Sequence, residues 1–209
     1  MADIKLSQKF YQAVEHVSIL HKDQKRKFSD APYATHLFGV AMLIHEYGGD
    51  EEEIIAALYH DTLEDQRDKI TADDIEKLHG PRVRRLVEGV TENVGLPGHV
   101  KNPWQQRKDG YIAHVAASAA DVAFLSCADK LHNLRCLVDN LRDYGPSVWA
   151  SYTSTAEETI WFNEQLANIY VAKLQNPIAQ QFLKELQQFK KDLGFATTPC
   201  PYPNRQPLP

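Results

Sequence analysis

EEIIAALYHDTLED, residues 52–65, is an apolar helical stripe that carries ionisable groups on its buried side. Ile54, Ala57, Leu58 and Asp61 recur at helical spacing, so the pattern predicts a helix that directs a carboxylate toward a core. Asp50 stands where a helix cap belongs, and Glu53 three positions on completes a capping box. Glu51, Glu52 and Glu53 fill the first turn, where the helix dipole favours negative charge. No run of alternating strand residues competes with this reading anywhere in the chain.

The same periodicity extends in both directions. Residues 4–21 predict a first helix with Phe10, Val14, Val17 and Leu20 on one stripe, and KDQKRKFSD (22–30) follows as a basic loop. Asp30 as cap and Pro32 in the first turn open a second helix, with Leu37, Val40, Ala41 and Ile44 inward, and Gly48-Gly49 ends it. Downstream helices are expected from Thr71 to His79, from Gly80-Pro81 to Val90, and over 104–117, 120–142, 156–174 and 176–193. Residues 91–103 hold two Gly and two Pro and read as a loop that could act as a lid. The expectation is an all-α fold, a single helical bundle of about eight to ten helices over 1–195, with a proline-rich strap over 196–209.

Composition limits the function classes. The chain has 209 residues, 43% of them hydrophobic, enough to bury a core as one domain. Its 23 Lys+Arg against 28 Asp+Glu give a net charge of −5, which argues against a general nucleic-acid binder. Asp121 interrupts the longest small-apolar stretch, so no membrane span is expected, and the start MADIKLSQKF has no apolar signal core. Cys127, Cys136 and Cys200 show no metal-type spacing and suit a reducing, cytoplasmic setting. Arg82, Arg84 and Arg85 read as a solvated basic face, and Trp149, Trp161, Phe162 and the stripe Phe182, Leu186, Phe189 as packing residues.

The candidate chemistry sits on three separate helices. His60 neighbours Asp61, and Glu64 and Asp65 follow one turn later. Four polar groups on two turns are tolerated when a cation sits among them. Asp129 follows Val122 by seven and Leu125 by four on an otherwise apolar helix, with Asn133 one turn on. His36 lies beside Leu37 at the edge of its own buried face. Two imidazoles and two carboxylates suit a divalent Mn, Fe, Co or Zn ion better than Ca or Mg. Asp129 taken singly has a simpler reading, a structural ion pair with Arg135 or Arg142.

In type, order and helical context, His36, His60-Asp61 and Asp129 resemble the HD-domain metal-dependent phosphohydrolases. Three stretches resemble the RelA/SpoT branch, the alarmone (ppGpp) hydrolases: KRKFSDAPYATH (25–36), HDTLED (60–65) and CADKLHNLR (127–135). PWQQRKDGYIAHV (103–115) and DYGPSVW (143–149) look like its small stand-alone members. The resemblance implies a divalent cofactor, Mn2+ first and Zn2+, Co2+ or Fe2+ as alternatives, held by His36, His60, Asp61 and Asp129. It implies Glu64 and Asp65 as the catalytic pair, Arg26 stacked on guanine, Asn133 on the nucleoside, and Lys27, Lys101 and Lys130 on phosphates. The implied reaction removes the 3′-diphosphate of guanosine tetra- or pentaphosphate as pyrophosphate, leaving GDP or GTP, without a synthetase half. The implied partner is that small molecule, with neither nucleic acid nor membrane, and a homo-oligomer is open. Ser151 stands where stand-alone members tend to have arginine, and Cys136 where longer relatives often have a hydroxyl. Both positions bear on the nucleotide rather than the metal. A broader HD phosphohydrolase acting on adenine alarmones or other phosphorylated nucleotides, or an inactive alarmone-binding sensor, are the competing readings.

Overall fold

In the computed structural model, residues 6–27, 30–92 and 103–195 are described. Lys101, most of the expected 91–103 lid, Cys200 and the expected strap lie outside them. Ten α-helices and one 3-10 segment make up the described chain. They are α1 (Gln8–Leu20), α2 (Ala34–Glu46), α3 (Glu51–Tyr59), α4 (Thr62–Asp65) and α5 (Ala72–His79). Then come α6 (Pro81–Val90), α7 (Trp104–Ala117), α8 (Ala120–Tyr144), the 3-10 segment Gly145–Ser151, α9 (Ala156–Lys173) and α10 (Pro177–Asp192). The all-α expectation holds: among the described residues the only β-type pairing is an isolated antiparallel bridge, Lys25 with Pro32. No described helix is long and apolar enough to cross a membrane.

Caps fix most boundaries. Ser7, Asp50, Thr71, Thr155 and Asn176 each accept a backbone N–H of the helix that follows, and Asp50, Thr71 and Thr155 form full capping boxes. Gly48 has φ +84° at the end of α2, and the N–H of Gly49 donates to the carbonyl of Ile44 at 2.8 Å. That left-handed residue closes the helix as glycine does best. Thr155→Ala removes the cap of α9, a helix that carries none of the candidate site residues, so it should cost about 1 kcal/mol in urea unfolding. Turnover should stay at the wild-type rate.

Packing centres on α8. On one side α2 and α3 pack on each other and on α8, with α1 behind α3 and α6 against both α3 and α8. On the other side α9 and α10 cover α8, burying Phe182, Leu186 and Phe189 against the body as the stripe predicts. Trp161 and Phe162 are likewise buried.

Three expectations need correction. The helix over 50–65 is broken: α3 ends at Tyr59 and α4 starts at Thr62, with His60-Asp61 between. The reason is side-chain competition for carbonyls of the last turn. His60 Nδ1–H donates to the Ala57 carbonyl at 2.7 Å, and Thr62 Oγ1 donates to that of Tyr59 at 2.6 Å. Asp30 does not cap α2; it pairs with Lys25 at 2.7 Å beside the Lys25–Pro32 bridge, and α2 begins four residues later at Ala34. Arg82, Arg84 and Arg85 are not merely solvated. Arg82 pairs with Asp50, Glu52 and Glu53, Arg84 with Asp73 and Glu76, and Arg85 with Asp121, tying α6 to α3, α5 and α8.

Candidate active site and metal centre

The break between α3 and α4 is where the chemistry gathers. His60, at the end of α3, has its Nδ1–H fixed on the Ala57 carbonyl, which leaves the Nε2 lone pair pointing away from the helix. His36, from the first turn of α2, brings its Nε2 to 3.2 Å from that atom. Asp129 Oδ1, from the middle of α8, lies 3.3 Å from His36 Nε2 and 3.6 Å from His60 Nε2. Asp61 Oδ2 lies 3.5 Å and 3.0 Å from the same two nitrogens. Donors about 2.1 Å from one shared cation sit roughly 3.0–3.4 Å apart, and these four groups lie 3.0 to 3.6 Å apart, within a few tenths of an ångström of that spacing. His36, His60 and Asp129 are all buried, with one donor atom each within 4.8 Å of the others.

Electrostatics agree with that geometry. Burial alone would neutralise all these groups. Yet Asp61 is held well below the carboxylate range by His60 and His36, and Asp129 by Lys130 and the two imidazoles. His60 is driven well above its ordinary range: burial opposes this, and Asp61 and Asp129 outweigh it. A divalent cation at this place would meet both carboxylates ionised and would have to displace the His60 proton. The donor set, two imidazole nitrogens and two carboxylates, therefore fits such an ion.

The alternative reading of Asp129, an ion pair with Arg135 or Arg142, does not match the structure. Arg135 pairs with Glu185, and Arg142 with Asp139 and Asp192. Instead Asp129 accepts from Asn133 Nδ2 at 2.6 Å and from Lys130 Nζ at 2.6 Å. Lys130, which the resemblance places on a phosphate, donates here to Asp129 and has its ammonium over the Tyr111 ring. Asn133 Oδ1 accepts from the Arg26 guanidinium at 3.1 Å, so the two expected nucleoside contacts meet. Lys27 lies over the Tyr152 ring, 5.1 Å from its centroid.

Glu64 and Asp65 sit on α4, one turn past Asp61. Glu64 accepts the backbone N–H of Glu92, and burial, then the charge of Asp61, pushes its carboxyl up to about 7. Asp65 accepts from Gln24 Nε2 at 2.8 Å, and Gln24 in turn accepts from Gln66 and lies against His21.

Several contributors escaped the sequence reading. Tyr33 donates to Asp61 Oδ2 at 2.6 Å, a role whose only sequence signal is its place in PYATH, three residues before His36. Glu92 carries Arg107 at 2.5 Å and Lys108 at 3.0 Å, so both cations stand on the flank of Glu64. They belong to PWQQRKDGY, and nothing in helical spacing alone singles them out. His132 also faces this region, and Cys136, already marked in the sequence, lies half-buried beside it.

A model of the HD domain matches residues 13–155, more than half of the chain. This chain is a member of the HD-domain family. Among its relatives is guanosine-3′,5′-bis(diphosphate) 3′-pyrophosphohydrolase MESH1 of Drosophila melanogaster, 34% identical over 64% of this chain and 72% of that protein. The enzyme of the same activity name from Aquifex aeolicus (strain VF5) is 38% identical over 63% of this chain, which spans only 18% of it. The HD-domain architecture also superposes on a solved structure described as a metazoan ortholog of SpoT that hydrolyzes ppGpp and plays a role in starvation responses. The TM-score is 0.70 at 26% identity, covering 91% of this chain and 98% of that one.

Proposed function

We infer that this HD-domain protein hydrolyses guanosine 3′,5′-bis(diphosphate), and the pentaphosphate likewise, at the 3′ position. Pyrophosphate leaves, and GDP or GTP remains. The observation that carries the reading is the acidic pair Glu64–Asp65, held one turn beyond Asp61 and beside a centre built from His36, His60 and Asp129. Relatives with this activity name, one of nearly stand-alone length, support it.

His36, His60, Asp61 and Asp129 would hold a divalent ion, which would supply Lewis acidity toward water and a phosphoryl oxygen. Mn2+ is the ion we favour; Zn2+, Co2+ and Fe2+ suit the same donors. The remaining work falls to side chains. Glu64, on α4 one turn past Asp61, can take the proton of the attacking water when ionised, and Asp65, anchored through Gln24, orients that water. The water oxygen bonds to phosphorus, the bond from phosphorus to O3′ breaks, and the abstracted proton returns to the departing 3′ oxygen. Arg26 offers a planar face to the base and Asn133 its amide to the nucleoside. Lys27, Lys130, Arg107 and Lys108 neutralise phosphate charge, and Lys101 belongs to the same set. In this reading residues 1–195 are the hydrolase unit, working in a reducing cytoplasm where Cys127 persists as a free thiol.

Incubation of the purified protein with Mn2+ and either ppGpp or its adenine counterpart, with chromatography of products, tests the reaction class. Pyrophosphate and GDP in equal amounts are expected from ppGpp. Orthophosphate as sole product would make the protein a phosphatase, and faster turnover of the adenine compound would overturn the guanine assignment.

A further inference from the structure

The two imidazoles of the metal centre are held in different ways. His60 has its second nitrogen fixed on a main-chain carbonyl, which no substitution at that position can remove. His36 has its second nitrogen, Nδ1, 2.9 Å from Nδ1 of His132. At that separation one nitrogen carries a hydrogen and the other does not. A His36 that offers its Nε2 lone pair toward Asp61, Asp129 and a cation keeps its hydrogen on Nδ1. His132 Nδ1 must then accept, and the hydrogen of His132 must sit on its Nε2.

The fold reserves a place for this ring. An ideal Cβ on Gly39 would fall 2.1 Å from His132 Nε2 and 2.3 Å from its Cδ2, so any side chain on that face of α2 would collide with the imidazole. Gly39 lies one turn beyond His36 on the same helix, and the lost helix propensity of about 1 kcal/mol is spent at the spot where α8 delivers the acceptor. The Cys136 thiol lies 3.5 Å from the same Nδ1. That nitrogen has a single lone pair, already directed at His36, which makes the thiol a bystander.

We propose that His132, seated against Gly39, is the positioning residue that fixes the tautomer and aim of the His36 ligand. The inference rests on the reading of His36 as a ligand. Outer partners of ligating histidines commonly change metal affinity by about 10- to 100-fold when removed.

The test is Mn2+ binding alone, followed by calorimetry on the full chain, with circular dichroism to confirm folding. His132→Phe keeps an aromatic ring but has no acceptor, and should weaken Mn2+ by about 10- to 100-fold. Gly39→Ala should weaken it similarly by displacing the ring, so the inference stays testable should His132→Phe fail to fold. The double variant should be no weaker than the worse single one. His132→Gln, with an amide oxygen in reach of His36, should recover part of the loss, and Cys136→Ser should bind as wild type. Wild-type affinity in His132→Phe, or additive losses in the double variant, overturns the proposal. His60→Ala separates the two levels: if it still binds Mn2+ normally, the metal-centre reading itself falls. If it loses Mn2+ while His132→Phe does not, only the role of His132 falls.

Discussion

Asp129→Asn should lower kcat/KM for ppGpp by about 1,000-fold, equivalent to about 4 kcal/mol of transition-state stabilisation. Bound Mn2+ should fall with it. The amide is the right replacement because Asp129 does more than face the two imidazoles. It also accepts from Lys130 and Asn133, and Lys130 is largely withdrawn from water. Alanine would strand that ammonium beside no acceptor, at a cost of about 3–5 kcal/mol in stability, and the activity loss would be confounded with unfolding. Asparagine keeps one carbonyl oxygen and removes the negative charge. Kinetics with titrated Mn2+, alongside metal analysis of the dialysed protein, measure both effects. Full activity at ordinary Mn2+ concentrations would mean that this carboxylate is structural.

The second large effect concerns Glu64 and Asp65. Glu64→Gln with Asp65→Asn should reduce kcat by about 10²- to 10⁴-fold while nucleotide and Mn2+ affinities stay close to wild type. The amide oxygens can still accept from the Glu92 N–H and from Gln24, so the local hydrogen bonds survive and only the capacity to carry a proton is lost. Unchanged turnover would remove the pair from the mechanism. The wild-type pH profile gives a linked reading. Glu64 is a base only when ionised, so the rate should rise with pH through its pKa. Burial and the charge of Asp61 place that value at about 7, and a cation beside Asp61 pulls it back toward the ordinary 4.5. The acid limb should therefore fall between these two values and be missing from the double amide variant.

The helices were legible because their signals are local. Asp50 with Glu53, Thr71 with Asp74, and Gly48-Gly49 mark ends within a few residues, and the inward stripe of α2 follows from spacing alone. The candidate ligands were legible for a related reason: a carboxylate such as Asp129 amid Val122, Leu125 and Ala128 contradicts its own stripe and needs an explanation. What spacing could not convey is competition at short range. The His60 and Thr62 side chains both take carbonyls that a continuous helix would have used, and no periodicity count registers that. Asp30 looked like a cap because Pro32 follows it, yet the bridge between Lys25 and Pro32 claims that segment first. Contacts between distant helices were equally hidden. Glu92, Arg107 and Lys108 meet only because α7 folds back past the end of α6, and the pairing of His132 with His36 depends on a space at Gly39 that a sequence records as one more glycine.

The donors proposed for the cation come from the start of α2, the α3–α4 break and the centre of α8. A chain emerging from the ribosome therefore holds an incomplete chelate until its eighth helix has docked. On the proposed reading, ion capture would wait for α8 to reach the core around Leu37, Ile55 and Leu58.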